Sequence, residues 1–151
     1  MGTSGRWQSE RANRLACCLL VATTSIWLHA SPALAQDSAD GFRSPTGNIQ
    51  CMFFDDDASV RCNIADKTTP LPPRPQDCEL DWGNDFSLDE TSRRGVLMCV
   101  GDTIVGDYPE LAYGETFERG NISCVSERSG VTCTNGRGAG FALSRAQQLL
   151  F

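Results

Sequence analysis

The sequence predicts a mainly β domain, small and stapled by disulfides, in which one β-hairpin is written twice. Three observations lead there: the repeated motif, six cysteines behind an export signal, and apolar stretches that lack helical periodicity. The first copy runs Gly47-Asn48-Ile49-Gln50-Cys51 and returns through Val60-Arg61-Cys62-Asn63. The second starts at Gly120-Asn121-Ile122-Ser123-Cys124 and returns through Val131-Thr132-Cys133-Thr134-Asn135. Each copy is an apolar stretch with one cysteine, a polar loop, and a returning stretch with a second. Two such hairpins packed together make a sandwich or a partly open barrel.

In chain order, residues 1–35 read as a signal peptide. Arg6, Arg11 and Arg14 form a basic start, an apolar stretch follows, and Ala33-Leu34-Ala35 offers small residues for cleavage between Ala35 and Gln36. The apolar stretch is short and interrupted by Thr23, Thr24 and Ser25, a poor membrane span. Residues 36–41 read as a flexible tail and 42–151 as one domain, long enough for its own core. The net charge of −6 becomes −8 once the first 35 residues are removed, leaving 10 basic and 18 acidic side chains. That acidity argues against nucleic acid and against docking on anionic lipid. The only histidine, His29, leaves with the signal peptide, so histidine-based nucleophilic sites and histidine-ligated metals are excluded from the remainder.

Cys51, Cys62, Cys78, Cys99, Cys124 and Cys133 remain, an even count that reads as disulfides in an oxidising compartment. If both hairpins are bridged alike, Cys51 pairs with Cys62 and Cys124 with Cys133, leaving Cys78 for Cys99. In the first hairpin Cys51 then faces Cys62, Ile49 faces Ile64 and Phe53 faces Val60, all on one face. In the second, Ser126 faces Val131, a less apolar arrangement. Crossed bridges, Cys51 to Cys133 and Cys62 to Cys124, are the alternative. Metal knuckles of the C-x₂-C kind are absent.

Further along, Asp55-Asp56-Asp57 occupies the first hairpin's loop. Pro70-Leu71-Pro72-Pro73-Arg74-Pro75 reads as a stiff, irregular connector between the two halves. Val96-Leu97-Met98-Cys99-Val100 is a strand candidate, and Gly101-Asp102 suits a tight turn into Thr103-Ile104-Val105. The residues from 136 to 140 form a glycine-rich turn. Ser144 with Gln147 fits a capping box, which predicts a short C-terminal helix.

Chemistry is harder to read. Asp55, Asp56 and Asp57 suit a hard cation but lack the EF-hand pattern, so a solvated loop is the simpler reading. Asp81, Asp85, Asp89, Glu90, Asp102, Glu115 and Glu118 are available for carboxylate chemistry, yet no spacing selects a pair. Gly136-Arg137-Gly138-Ala139-Gly140 fails the dinucleotide spacing. Trp82, Tyr108 and Tyr113 are aromatic recognition candidates. The candidate binding surface is Asp55, Asp56, Asp57, Trp82, Glu127 and Arg128; no cofactor, catalytic or metal residue is assigned.

With these residues in view, the chain resembles a family of small, secreted bacterial proteins of unknown function. The matching pieces are the stretch from Phe42 to Cys51, Val60-Arg61-Cys62-Asn63-Ile64, Asp81-Trp82-Gly83, Cys99-Val100-Gly101-Asp102-Thr103 and Leu111-Ala112-Tyr113-Gly114. The stretch from Gly120 to Asn135, and Gly140-Phe141-Ala142-Leu143-Ser144-Arg145, complete the set. The resemblance implies an exported, disulfide-bonded single domain and brings no activity or cofactor. The expected role is a non-catalytic binding module, secreted or periplasmic, whose partner is a protein or an envelope glycan. A carboxylate-dependent glycan hydrolase and a structural envelope protein are the alternatives.

Overall fold

A computed structural model of the chain describes residues 40–151; the signal peptide and the cleavage site at Ala35 and Gln36 lie outside them. The described residues form ten strands and no helix. They are β1 (Gly41–Arg43), β2 (Ile49–Phe54), β3 (Ser59–Ile64), β4 (Asp81–Asp89), β5 (Val96–Val100), β6 (Thr116–Arg119), β7 (Ile122–Glu127), β8 (Gly130–Asn135), β9 (Gly140–Leu143) and β10 (Gln148–Leu150). The first five make one antiparallel sheet, A, and the last five a second, B, each with neighbours in chain order.

The duplication is larger than a hairpin. Phe42 lies opposite Cys51 in the first sheet, and Phe117 lies opposite Cys124 in the second. Phe86 and Leu88 pair with Cys62 and Val60, as Phe141 and Leu143 pair with Cys133 and Val131. On the last strand Leu97 lies opposite Phe86, as Leu150 lies opposite Phe141. All these side chains belong to or pack against one core between the sheets. Each repeat is therefore a five-stranded meander with the same inward residues at the same register.

Alternation explains why. Along β2 buried and half-buried residues alternate without a break, and Ile49, Cys51 and Phe53 all face in. The hairpins pair Cys51 with Cys62 and Cys124 with Cys133, and both pairs are disulfides; Cys78 and Cys99 form the third. The crossed pairing is absent. Equivalent strands also face one another across the core. Phe117 of β6 packs on Phe42 and Phe53 with ring centroids 5.5 and 4.9 Å away. Cys62 Sγ lies 3.8 Å from Cys133 Sγ, and the Phe86 and Phe141 rings are 6.2 Å apart.

Three expectations are corrected. The C-terminal helix does not form: Ser144 Oγ accepts from the Gln147 N–H at 3.0 Å, and Ser144 N–H donates to the Gln147 carbonyl at 2.9 Å, closing the β9–β10 turn. A serine that bonds a backbone three residues on serves a turn as well as a helix cap. So short a helix is marginal in water, whereas β10 places Leu150 against the core. The proline-rich segment does not join the halves. It lies in residues 65–80, inside the first repeat between β3 and β4, where the second repeat has only the 136–139 turn. Finally, 103–105 is not a strand.

Instead, residues 101–111 form a strap. It leaves β5, crosses the outer face of sheet A, and meets β1 at the far edge. Gly106 N–H donates to Gln50 Oε1 at 2.9 Å, Arg61 Nη1 to Asp102 Oδ1 at 3.0 Å, and Leu111 N–H to the Arg43 carbonyl at 2.9 Å. Gln50 and Arg61 point outward because Cys51 and Cys62 point in. Among the described residues, no helix is long and apolar enough to cross a membrane.

Replacing Cys51 and Cys62 together by Ala is expected to cost about 3 kcal/mol through loop closure and more through lost buried volume. Replacing Cys78 and Cys99, which staple the connector, is expected to leave the two-sheet fold cooperative. Urea unfolding of both variants checks this; a larger loss from the Cys78–Cys99 pair would contradict the assigned roles.

Candidate functional site

The sequence-predicted surface residues fall in three separate places. Asp55, Asp56 and Asp57 form the exposed β2–β3 turn at one end of the sandwich. Asp57 accepts the Ser59 hydroxyl at 2.5 Å, and Asp55 shares Arg119 with Asp40, each 3.3 Å away. The turn is thus knitted to a basic side chain. Among the described residues, the set of metal-type ligand atoms drawn together is Cys51, Cys62 and Cys133, all already in disulfides.

Glu127, the last residue of β7, and Arg128, in the β7–β8 turn, lie at the opposite end. They line a cleft of about 230 Å³ together with Ser44, Thr46 and Asn48 of the β1–β2 turn, Tyr113, and Arg145. The Arg128 guanidinium sits over the Tyr113 ring, 5.2 Å from its centroid. That contact joins the β7–β8 turn to the short segment, 112–115, between the strap and β6. Both repeats contribute walls, so the cleft exists only because they are packed together.

Trp82 marks a third place, a basin of about 290 Å³ on the flank of sheet A. Asn63, Arg74, Asp81, Asn84, Asp85 and Asp102 line it with the indole. Antiparallel pairing of β3 with β4 puts Asn63 opposite Asp85, and the Asn63 amide donates to Asp85 Oδ2 at 3.0 Å. The Trp82 N–H donates to the Pro72 carbonyl at 3.1 Å, which ties the proline-rich connector to the basin's wall. Gly83, at φ 106°, permits this close approach: a side chain there would collide with Leu71.

Beneath the basin is an ion pair with an unusual environment. Arg61 and Asp85 are 7% and 6% exposed, and Arg61 Nε lies 3.6 Å from Asp85 Oδ1. Among the described residues, neither of those atoms, nor Arg61 Nη2, has a hydrogen-bond partner. Burial pushes the Asp85 carboxyl above its ordinary range, against the pull of the Asn63 amide and the Arg61 guanidinium. Asp102, exposed on the strap, is held below its ordinary range by the hydrogen bond from Arg61. Burial lowers the Lys67 ammonium, opposed by Asp85. Opposed shifts of this kind accompany acid–base sites and structural ion-pair networks alike, and here both carboxylates share Arg61. Sequence reading named Trp82 but missed Arg61, which alternation alone could have flagged as a charge on the outward face.

Asp89 provides the internal contrast. Hydroxyl and backbone donors of Ser92 and Thr91 hold its carboxyl at about 2. Its stabilisation of the β4–β5 turn is full above the ordinary carboxylate pKa of about 4 and is lost as pH falls through about 2. Asp85 has the opposite sign. Its raised pKa weakens the fold as pH climbs from about 4 to the folded value. A carbon-13 titration of side-chain carboxyls is expected to place Asp89 near 2 and Asp85 above the ordinary range; the reverse order would contradict this electrostatic picture.

Comparison with curated proteins and with solved structures finds no match. Residues 22–151 do match a protein family, and the match takes in both repeats, the strap and all three candidate places. On that match the chain belongs to the family of unknown function DUF6636.

Proposed function

We propose that the protein is an exported, non-catalytic binding module of the bacterial envelope or extracellular space, and that it reads a partner protein through the end cleft. The observation that carries this reading is Arg128 stacked on Tyr113 in a cleft walled by both repeats. Arginine and tyrosine are the usual anchors of protein interfaces. The turn that holds Arg128 springs from β7 and β8, which a disulfide ties together, so little ordering of that turn is needed on binding. Three disulfides call for an oxidising compartment, in keeping with the basic and apolar N-terminal segment.

A second reading, a carboxylate-dependent glycan hydrolase, is favoured by one observation: Asp85 and Asp102 line one basin with carboxyls shifted in opposite directions. Against it, both carboxylates lean on the same guanidinium, and one oxygen of Asp85 is sealed from solvent.

The oxidised chain, immobilised beside its Arg128→Ala and Asp56→Ala variants, is expected to capture a saturable partner from envelope extracts. Arg128→Ala should weaken that capture about 10-fold or more, and Asp56→Ala, at the other end, should leave it unchanged. Equal capture by all three would remove the end cleft from consideration. Glycan turnover abolished by Asp85→Asn would favour the hydrolase.

A further inference from the structure

The two repeats differ in one large respect. The first carries residues 65–80, with its own disulfide to β5, where the second has a four-residue turn. Neither feature is needed to close the sandwich, since sheet B closes its half without them. What they build is the basin: Arg74 of the insertion lines it, and the Pro72 carbonyl holds the Trp82 indole. Trp82 itself pairs with Cys99, the half-cystine that anchors the insertion.

We infer that this basin is a carbohydrate-binding subsite that takes a neutral sugar unit. The argument is independent of the end cleft. Its lining is mostly polar around one half-buried indole: two amides, three carboxylates, a guanidinium and the Thr103 hydroxyl, with Val100 beside them. A sugar hydroxyl donates and accepts at one atom, so it needs donors and acceptors interleaved. The basin offers both. Asn63 commits its amide N–H to Asp85 and keeps its carbonyl; Asn84 commits its carbonyl to Lys67 and keeps its N–H. Among the described residues, the side chains of Asp81 and Arg74 have no hydrogen-bond or ion-pair partner, and both are exposed.

Charge narrows the class. Asp81, Asp85, Asp102 and Arg74 line the basin, and Arg61 and Lys67 lie outside the lining close to Asp85, so its surroundings come near to balance and suit an uncharged ligand better than an anion. Aromatic faces also hold the apolar C–H side of a sugar ring, which polar side chains alone cannot. The floor is fixed as well. Asp85 Oδ2 takes the Asn63 amide and its Oδ1 faces the Arg61 guanidinium, so the floor is held in one geometry beneath the basin.

The test uses the oxidised full-length chain on an array of chito-oligosaccharides, muropeptide fragments and gluco-, manno- and galacto-oligosaccharides, followed by calorimetry on any sugar retained. The expected result is saturable binding of at least one neutral glycan, without cleavage. Trp82→Ala and Asp81→Ala should each weaken it about 10-fold or more, while Arg128→Ala leaves it unchanged. Asp81 is exposed, so its variant keeps the test sound if Trp82→Ala fails to fold. Three results would overturn the assignment: no sugar bound at millimolar concentration, binding indifferent to Asp81→Ala, or glycan cleavage that Asp85→Asn abolishes. Loss of the protein partner with sugar binding retained would dismiss the end cleft alone.

Discussion

Four half-cystines sit back to back in the dry centre of the sandwich, and the positions of both sheets follow from them. Cys51, Cys62, Cys124 and Cys133 are wholly buried, and the sulfurs of Cys62 and Cys133 approach to 3.8 Å. A one-residue slip in either hairpin would carry its cysteines to the outer face and break a bridge. The covalent pairs therefore fix register within each sheet, and their contact fixes register between sheets. Phe42, Phe53 and Phe117 fill one side of the sulfur contact, and Phe86 and Phe141 fill the other. With the core this determined, the turns at both ends become rigid platforms.

Against that shared core, the differences between repeats are informative. Ile64 of the first repeat corresponds to Asn135 of the second, a buried amide with every hydrogen-bonding position filled. It donates to the Asp89 and Ser92 carbonyls at 3.0 and 2.9 Å and accepts from the Arg137 and Ala139 N–H groups. One polar residue thus fastens the β4–β5 turn of sheet A to the β8–β9 turn of sheet B. The first repeat diverges differently, by accepting the proline-rich insertion and the third disulfide. Its outer face is then overlaid by the strap, pinned where Asp102 meets Arg61.

Much of this fold was legible in the sequence, for physical reasons. Period-two alternation located the first hairpin's register, and the repeat of that pattern carried the bridge to the second. The full extent of the duplication was hidden because the insertion displaces Phe86 and Leu88 from the spacing of Phe141 and Leu143. The last strand was misread because Ser144 and Gln147 satisfy one local hydrogen bond in either conformation. For the sites, Trp82, Glu127 and Arg128 stood out by residue type. Arg61 and Asp85 did not, since their partnership comes from strand pairing, and Asp102 joins them from 41 residues away. Long-range encounters of that kind leave no mark on local spacing.

The central claim is that two like meanders stack with equivalent strands face to face. Ring-to-ring nuclear Overhauser effects on the oxidised chain test it most directly. The account predicts cross-peaks from Phe117 to both Phe42 and Phe53, and from Phe141 to Phe86. Cross-peaks joining Phe117 to Phe86 instead, with none to Phe53, would mean the sheets stack in the reverse order and would contradict it.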